Sequence, residues 1–310
     1  MGGRLAWLPY ASPAEAAERL GGIPPGVAVE CFRADGDALP DSIAEVQFYV
    51  LPYLKGEEVL ERAGEMTSLQ VIQTLTAGVE NFLPYVPRGV TLCNAAGVHD
   101  ASTAELALAL TLASGRHLDL FARQQAEGRW APRPGRALAD ARVLILGYGR
   151  IGAAVERRLA GFEVASLTRV ARRSRSEPEV HPVERLPDLL PQVDVLIVIA
   201  PLTEQTTGLV DADALARLPD GALVVNVARG KVVDTAALVA ETGSGRLRAA
   251  LDVTEPEPLP PDHPLWRTEN VIISPHVGGA SSAFAPRADR LIAAQLRRWA
   301  RGEELENVIS

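Results

Sequence analysis

Two cysteines in 310 residues, Cys31 and Cys93, are too few for a disulfide framework, although a single bridge stays open to them. The expected state is a pair of reduced, mostly buried thiols in a cytoplasmic protein. Histidine is scarce as well. There are five, none in HExxH or other close ligand spacing, so no metal site is expected. No run of 18 apolar residues occurs, and no charged segment followed by a secretory apolar stretch opens the chain, so neither a membrane span nor a signal peptide is expected. Positive charge is also short. Lys and Arg number 31 against 39 Asp and Glu, a net charge of -8. That balance argues against nucleic acid or an anionic membrane as the main partner.

What is present is apolar residue, 47% of the chain. A chain of this length buries roughly 75% of its unfolded surface, enough for one large or two medium domains. Over residues 1–100 short apolar runs alternate with helical stretches: strands at 4–10, 27–32, 46–54, 69–78 and 91–97, and a helix at 13–20. Such alternation predicts a mostly parallel sheet with crossover helices. Residues 102–128 predict one long helix or two broken ones, with Ser102 or Thr103 capping the start. A Pro/Gly loop at 131–138 then leads into a second series of apolar runs. Their near-continuous apolar character suits a parallel sheet covered on both faces. The last stretch has helical spacing, with Leu291, Leu296 and Trp299 near one face, and is expected to return to the first domain. The predicted fold is α/β, two Rossmann- or flavodoxin-like parallel-sheet lobes with a cleft between them. One lobe is 1–100 plus 286–310, and the other is 101–285.

The second lobe opens on VLILGYGRIG. Gly147-x-Gly149-x-x-Gly152 lies between a strand and a helix that begins at Arg150 and Ile151. The first glycine permits a tight turn, the second lets backbone approach a pyrophosphate, and the third allows close helix–strand packing. The phosphates would meet free N–H groups at the helix N-terminus. A glycine turn used only for packing is the competing reading. At the end of the following strand, where an acidic side chain usually holds the ribose of NAD, stand Thr168 and Arg169, followed by Arg172, Arg173 and Ser174. Arginine pairs with a 2′-phosphate, so NADP is favoured over NAD, against the alternative of a solvated basic loop.

Three further residues each end an apolar run: Arg229 in VVNVARG, Glu257 in LDVTEPEP and His276 in VIISPHVGG. Reducing a 2-oxo acid needs a grip on its carboxylate, polarisation of its carbonyl, and a proton as hydride arrives. Arg229 offers fixed donors for the first two tasks. His276 titrates near neutral pH and can supply the proton. Glu257 would orient the imidazole and favour its charged form. Each also has a plain reading, as a strand-end arginine, a loop acid and a turn histidine.

With these residues in place, the sequence resembles the D-isomer-specific 2-hydroxyacid dehydrogenases over nearly its whole length, most closely from 94 to 280. The resemblance implies catalytic roles for Arg229, Glu257 and His276. It places Asp252 at the nicotinamide carboxamide, Pro201 and Thr206 beside the cofactor, and Thr103 at its nicotinamide end. Ala228 and Gly278 join the cofactor-binding set. Ala77-Gly78-Val79 resembles the loop whose backbone N–H groups hold the substrate carboxylate. Two departures stand out: Arg169 where many members carry Asp, and Ala200 where His often precedes PLT. The family further implies a homodimer, a small 2-oxo or 2-hydroxy acid as substrate, and reversible reduction of the glyoxylate or hydroxypyruvate type. An NAD-dependent dehydrogenase of another D-2-hydroxy acid is the alternative, and a dinucleotide-sensing scaffold a remoter one. Phe48, Tyr49 and Tyr53 are candidates for the substrate side-chain pocket. The same stretch offers only Lys55 to a phosphate, which disfavours phosphoglycerate.

Overall fold

The computed structural model describes residues 3–36 and 38–310. They fall into two compact units, one holding the chain through His99 together with 282–310, the other spanning 100–281.

In the first unit, short strands β1 (Arg4–Leu8), β2 (Val27–Cys31), β3 (Phe48–Val50), β4 (Val71–Gln73) and β5 (Thr91–Cys93) form a parallel sheet. Its order is β2-β1-β3-β4-β5. Successive side chains of a strand point to opposite faces, so RLAWL must bury both. Ala6, Leu8, Phe48 and Val50 pack against helix α1 (Pro13–Leu20) and the C-terminal helix Phe284–Arg301. Leu5, Trp7, Tyr49 and Ile72 pack on the other face against Val59, Leu60, Ala63 and Met66. Helix α1 starts where Ser12 accepts a hydrogen bond from the Glu15 amide at 3.2 Å and ends where Gly21 turns left-handed. The expected alternation holds only in part. After β2 the connections are single 3₁₀ turns, as at Glu57–Leu60 and Ala63–Glu65, and three of the strands are three residues long. Gly56 and Gly64 interrupt the helical pattern there, and a few apolar anchors suffice to cover the sheet.

In the second unit, α2 (Asp100–Gly115) and α3 (Leu118–Ala126) are separated by a left-handed His117. The helix begins at Asp100, two residues earlier than the sequence predicts. Ser102 and Thr103 are therefore buried inside its first turns and do not cap it. Then follow β6 (Arg142–Leu146), α4 (Arg150–Leu159), β7 (Ser166–Ala171), the short β8 (Arg175–Ser176) and β9 (Glu179–Pro182). The remainder is α5 (Leu186–Leu189), β10 (Val195–Val198), α6 (Ala212–Arg217), β11 (Leu223–Asn226), α7 (Thr235–Gly243), β12 (Arg248–Leu251) and β13 (Val271–Ile273). The sheet runs β13-β12-β11-β10-β6-β7-β9-β8, parallel except for the last pair. Strand residues divide by parity between two cores. Val143, Ile145, Ile197 and Val225 face α2 and α4, whereas Leu144, Leu146, Leu196, Val198 and Val224 face α6 and α7. Among the described residues no helix is long and apolar enough to cross a membrane, and no cluster of His, Cys, Asp and Glu could hold a metal ion. Both cysteines are free thiols.

Candidate active site

The strand order reverses after β6, and the glycine turn lies at that point, a position where doubly wound sheets take their ligands. Gly147 has φ +106°, and a Cβ there would run into the backbone of Ala200 on the neighbouring strand end. A Cβ on Gly152 would lie 2.5 Å from the Gly147 carbonyl oxygen, so α4 can approach the turn only without one. At Gly149 a Cβ would meet no protein atom within 4 Å. No side chain caps α4, so its first N–H groups face this open space. A cradle closed at its first and third glycines and open at its second fits a dinucleotide pyrophosphate. Arg150 opens the helix and pairs with Asp100 at 2.9 Å, and Ile151 is half-buried behind it. Opposite the turn, Thr206 Oγ1 donates to the Pro201 carbonyl at 2.6 Å and accepts from the Thr203 amide at 2.8 Å. That fixes the 201–206 loop.

The basic cluster differs from the sequence expectation. Arg169 is not the end of its strand: β7 continues to Ala171, and Arg169 pairs in register with Ile145, one residue beyond the half-buried Thr168. Its guanidinium turns toward α4 and forms an ion pair with Glu156, whose carboxylate also accepts from the Tyr148 hydroxyl. The Glu156 hydrogen bond raises the Arg169 pKa, and the same bond lowers that of Glu156 against its burial. The residues that follow the strand, Arg172 and Arg173, are exposed. Arg175, which sequence reasoning passed over, lies over the Tyr148 ring and donates to the Tyr148 carbonyl at 2.5 Å.

Arg229, Glu257 and His276 follow three adjacent strands, β11, β12 and β13, so the sheet itself gathers their loops at one edge. Gly230 makes the approach possible. A Cβ there would overlap the Thr254 carbonyl and lie 2.7 Å from the Glu255 amide nitrogen, so the Arg229 and Glu257 loops touch through bare backbone. Asn226 was not singled out from sequence. It is buried at the end of β11, accepts from the Ala228 amide and donates to the Arg229 carbonyl, both at 3.0 Å. A buried asparagine three residues before an arginine was the available signal. Arg229 Nη1 donates to the Ala228 carbonyl at 2.7 Å.

His276 Nδ1 forms a short hydrogen bond with Glu257 Oε1. That bond raises the His276 pKa above its ordinary value, against burial and the nearby Arg229 charge. Burial pushes the Glu257 carboxyl up, but the His276 hydrogen bond and charge, a backbone hydrogen bond at Thr254 and the Arg229 charge together outweigh it and leave the group more acidic than usual. Both side chains stay partly open, at 47% and 39% exposure, so a small molecule can reach them. Among the described residues nothing engages His276 Nε2. The backbone of His276 is left-handed, φ +52°, a conformation that costs roughly 1–2 kcal/mol for a residue with a Cβ. Asp252 is 2% exposed and spends its carboxylate on this turn, accepting from the Val277 and Gly278 amides at 2.8 Å each. Thr103, on α2, donates to the Gly278 carbonyl at 3.3 Å.

Other sequence candidates fall elsewhere. Ala77, Gly78 and Val79 belong to the first unit. Asn94 and Thr76 side chains bind the carbonyls of Ala77 and Gly78 at 2.8 and 2.7 Å, while the three amides have no partner among the described residues. Such a loop offers N–H groups to an anion. Phe48 and Tyr49 are wholly buried core residues, packed on Trp299 and Trp7, so neither lines a pocket. Tyr53 stacks on Phe284 and His99. A cavity of about 880 Å³ lies by the α2–α3 joint between Arg136, Arg248 and Arg267, and shares no residue with the Arg229, Glu257 and His276 cluster.

Comparison with known proteins agrees with this geometry. A profile of the D-isomer specific 2-hydroxyacid dehydrogenase NAD binding domain matches residues 108–278. The chain is 36% identical over 270 residues to glyoxylate reductase of Korarchaeum cryptofilum, covering 82% of this chain and 79% of that one. It is 34% identical over 260 residues to the human glyoxylate reductase/hydroxypyruvate reductase, covering 80% and 79%. Among solved structures, a D-isomer specific 2-hydroxyacid dehydrogenase from Xanthobacter autotrophicus Py2, in complex with NADPH and MES, superposes with TM-score 0.81 at 31% identity. That match covers 100% of this chain and 98% of the other. An NADPH-dependent glyoxylate/hydroxypyruvate reductase from Sinorhizobium meliloti, in complex with NADP and malonate, gives TM-score 0.81 at 28% identity, covering 100% and 97%.

Proposed function

The chain belongs to the D-isomer specific 2-hydroxyacid dehydrogenase family, and from that premise we propose that it reduces glyoxylate, hydroxypyruvate or a similar small 2-oxo acid to the D-2-hydroxy acid. The observation that carries the reading is the convergence of Arg229, Glu257 and His276 at one edge of the nucleotide-type sheet, with His276 paired through Nδ1 and open at Nε2.

Gly147, Gly149, Gly152 and the loops ending in Pro201, Thr206 and Ala228 would hold a nicotinamide dinucleotide, which would supply the hydride. The protein supplies charge and a proton. Arg229 binds the substrate carboxylate and polarises the 2-oxo group through its fixed donors. Loop 77–79 of the first unit has open amides suited to a carboxylate. His276 gives its Nε2 proton to the oxygen as the carbonyl is reduced, and recovers it in the reverse direction. Glu257 keeps the imidazole charged and turned so that Nε2, rather than Nδ1, is presented.

Within the NAD(P) class we propose NADPH as the preferred donor, with Arg172, Arg173 and Arg175 facing the 2′-phosphate. NADH as the natural donor is a second reading, favoured by one observation: Arg169 is already neutralised by Glu156. We also propose a homodimer. Trp130, on the extended segment after α3, is 97% exposed, a large apolar surface for a lone chain to leave wet.

Initial rates of glyoxylate reduction with NADPH and NADH in parallel test the assignment. Turnover favouring NADPH supports it in full, and turnover with NADH alone keeps the chemistry and reverses the donor. No turnover with glyoxylate, hydroxypyruvate or bulkier 2-oxo acids refutes it.

A further inference from the structure

The strands of the second sheet start at the edge opposite the Arg229, Glu257 and His276 loops, and Arg248 is the first residue of β12. It lines the cavity of about 880 Å³ by the α2–α3 joint, together with Arg136 and Arg267. Glycines build the wall that carries Arg136. A Cβ on Gly135 would lie 2.6 Å from the Gly115 carbonyl oxygen, and one on Gly115 would lie 2.8 Å from the Arg136 carbonyl oxygen. The strap 133–136 therefore rests directly on the end of α2, where the Arg136 amide donates to the Gly115 carbonyl at 2.7 Å. The Arg136 guanidinium then lies over Gly221, at which a Cβ would collide with it.

Hydrogen bonding in this cavity is one-sided. The side chains of Thr242, Ser244, Thr268 and Asn270 each donate to a backbone carbonyl. Both wall carboxylates are taken, Asp119 by Arg123 and Glu269 by Arg133, each at 3.0 Å. Half-buried Arg248 reaches only neutral acceptors, the Gly221 carbonyl at 3.2 Å and Ser114 Oγ at 3.4 Å. The Arg136 and Arg267 guanidinium groups donate to nothing among the described residues. Asp194 feels the Arg136 charge, yet its carboxylate is held by Arg142 through two bonds of 2.9 Å. Burial, and then the Arg136 charge, pushes the Arg248 guanidinium down to about 10, so it stays charged at neutral pH beside a like charge. What remains uncommitted is a set of cationic donors around an open chamber, in a chain whose net charge is -8. Their complement is an acceptor-only, negatively charged group. We propose that this cavity is a binding site for a small multivalent oxyanion, its phosphate or carboxylate oxygens held by Arg136, Arg248 and Arg267 and its charge relieving the repulsion among them. The site is separate from the proposed reaction and does not depend on it.

Calorimetric titration of the full chain with pyrophosphate and with citrate, each against chloride at matched ionic strength, tests this and separates a phosphate source from a carboxylate one. The parent is compared with Arg136→Gln, Arg248→Gln and Arg267→Gln. Arg136 and Arg267 are exposed, so their variants keep the fold even where Arg248→Gln does not. The expected result is saturable binding of at least one of the two anions, weakened roughly 10- to 100-fold in each variant by loss of a charge-assisted contact. The melting temperature of the parent should rise with the concentration of that anion, and that of the variants far less. Binding of equal strength in the parent and in the Arg136 and Arg267 variants puts the anion elsewhere, at the glycine turn or on Arg229, and overturns the proposal. Absence of saturable binding of either anion overturns it as well. Sedimentation velocity on the same samples then identifies the other occupant: if the variants lose dimer while the parent binds neither anion, the cavity seats a second copy of the chain instead. None of these outcomes depends on whether the chain reduces glyoxylate.

Discussion

Replacing Gly230 with alanine adds one methyl group at the point where the Arg229 loop meets the Glu257 loop. The backbone there is not in the left-handed region, so the whole cost is contact. The new Cβ would overlap the Thr254 carbonyl and sit 2.7 Å from the Glu255 nitrogen, whereas ordinary contact begins near 3.4 Å. The Thr254 carbonyl oxygen is closer still, so the two loops must part by more than about 1 Å, because both partners are backbone and cannot rotate away. Overpacking of this kind costs about 1–3 kcal/mol, and a melting shift of roughly 2–4 °C accompanies each kcal/mol in a domain of this size. Activity should suffer more. A displacement of about 1 Å between groups that must act together lowers the rate on the order of 10²-fold. Thermal unfolding and initial-rate reduction, measured on the same preparation, check both figures. Gly243 is the control, since it closes α7 and a Cβ there meets nothing within 4 Å, so alanine should be neutral or slightly stabilising. If Gly230→Ala melts and turns over like the parent, the close approach of the two loops does not position the site.

Three further outcomes follow from the same geometry. His276 must be protonated for reduction, and its pKa is raised by Glu257, so reduction should persist above the ordinary histidine range and fall as pH climbs through the raised value. In Glu257→Gln that fall should come at lower pH in a kcat/KM profile, while oxidation of the hydroxy acid, which needs neutral imidazole, should extend to lower pH. Arg172→Ala combined with Arg173→Ala should cut kcat/KM for NADPH roughly 10- to 100-fold, the worth of one lost charge-assisted contact, and leave NADH within a few-fold. Glu156→Gln, which releases Arg169, should move the preference toward NADPH. Trp130→Ala should leave the melting of an isolated chain unchanged but lower the dimer fraction in sedimentation velocity, and an unaltered assembly would remove Trp130 from the interface.

The residues proposed to bear the chemistry were the legible part of the candidate site. Arg229, Glu257 and His276 each terminate an apolar run, and parallel strands put their C-terminal ends on one edge. The glycine spacing was legible for the same reason: backbone that must come close leaves a mark in composition. Arg169 was misplaced because the run VASLTRVA has no break at its arginine. Pairing with β6 carries β7 on to Val170, and pairing with β9 carries it to Ala171. The hold of Asp252 on the His276 turn was hidden because Asp252 and Ser274 follow different strands, β12 and β13, and meet only when those strands align. Phe48 and Tyr49 look alike as pocket or core until Trp7 and Trp299 arrive from opposite ends of the chain. The short 3₁₀ connections of the first unit follow from glycines that read as loop punctuation but do not fix how little helix remains.

The first unit draws its last helix from residues 284–301, and its edge strand bonds to the final residues, with the Leu92 amide on the Ser310 carbonyl at 2.9 Å. On a ribosome adding roughly 5–20 residues per second, the stretch of about 190 residues between β5 and that helix takes some 10–40 s to emerge. Throughout that interval the strand face of Ala6, Leu8, Phe48 and Val50 has α1 but lacks the C-terminal helix that completes its cover. The intervening unit is contiguous and can finish first. Nascent chains halted shortly before residue 284 should therefore be the ones most dependent on a holdase, with the middle unit already resistant to protease.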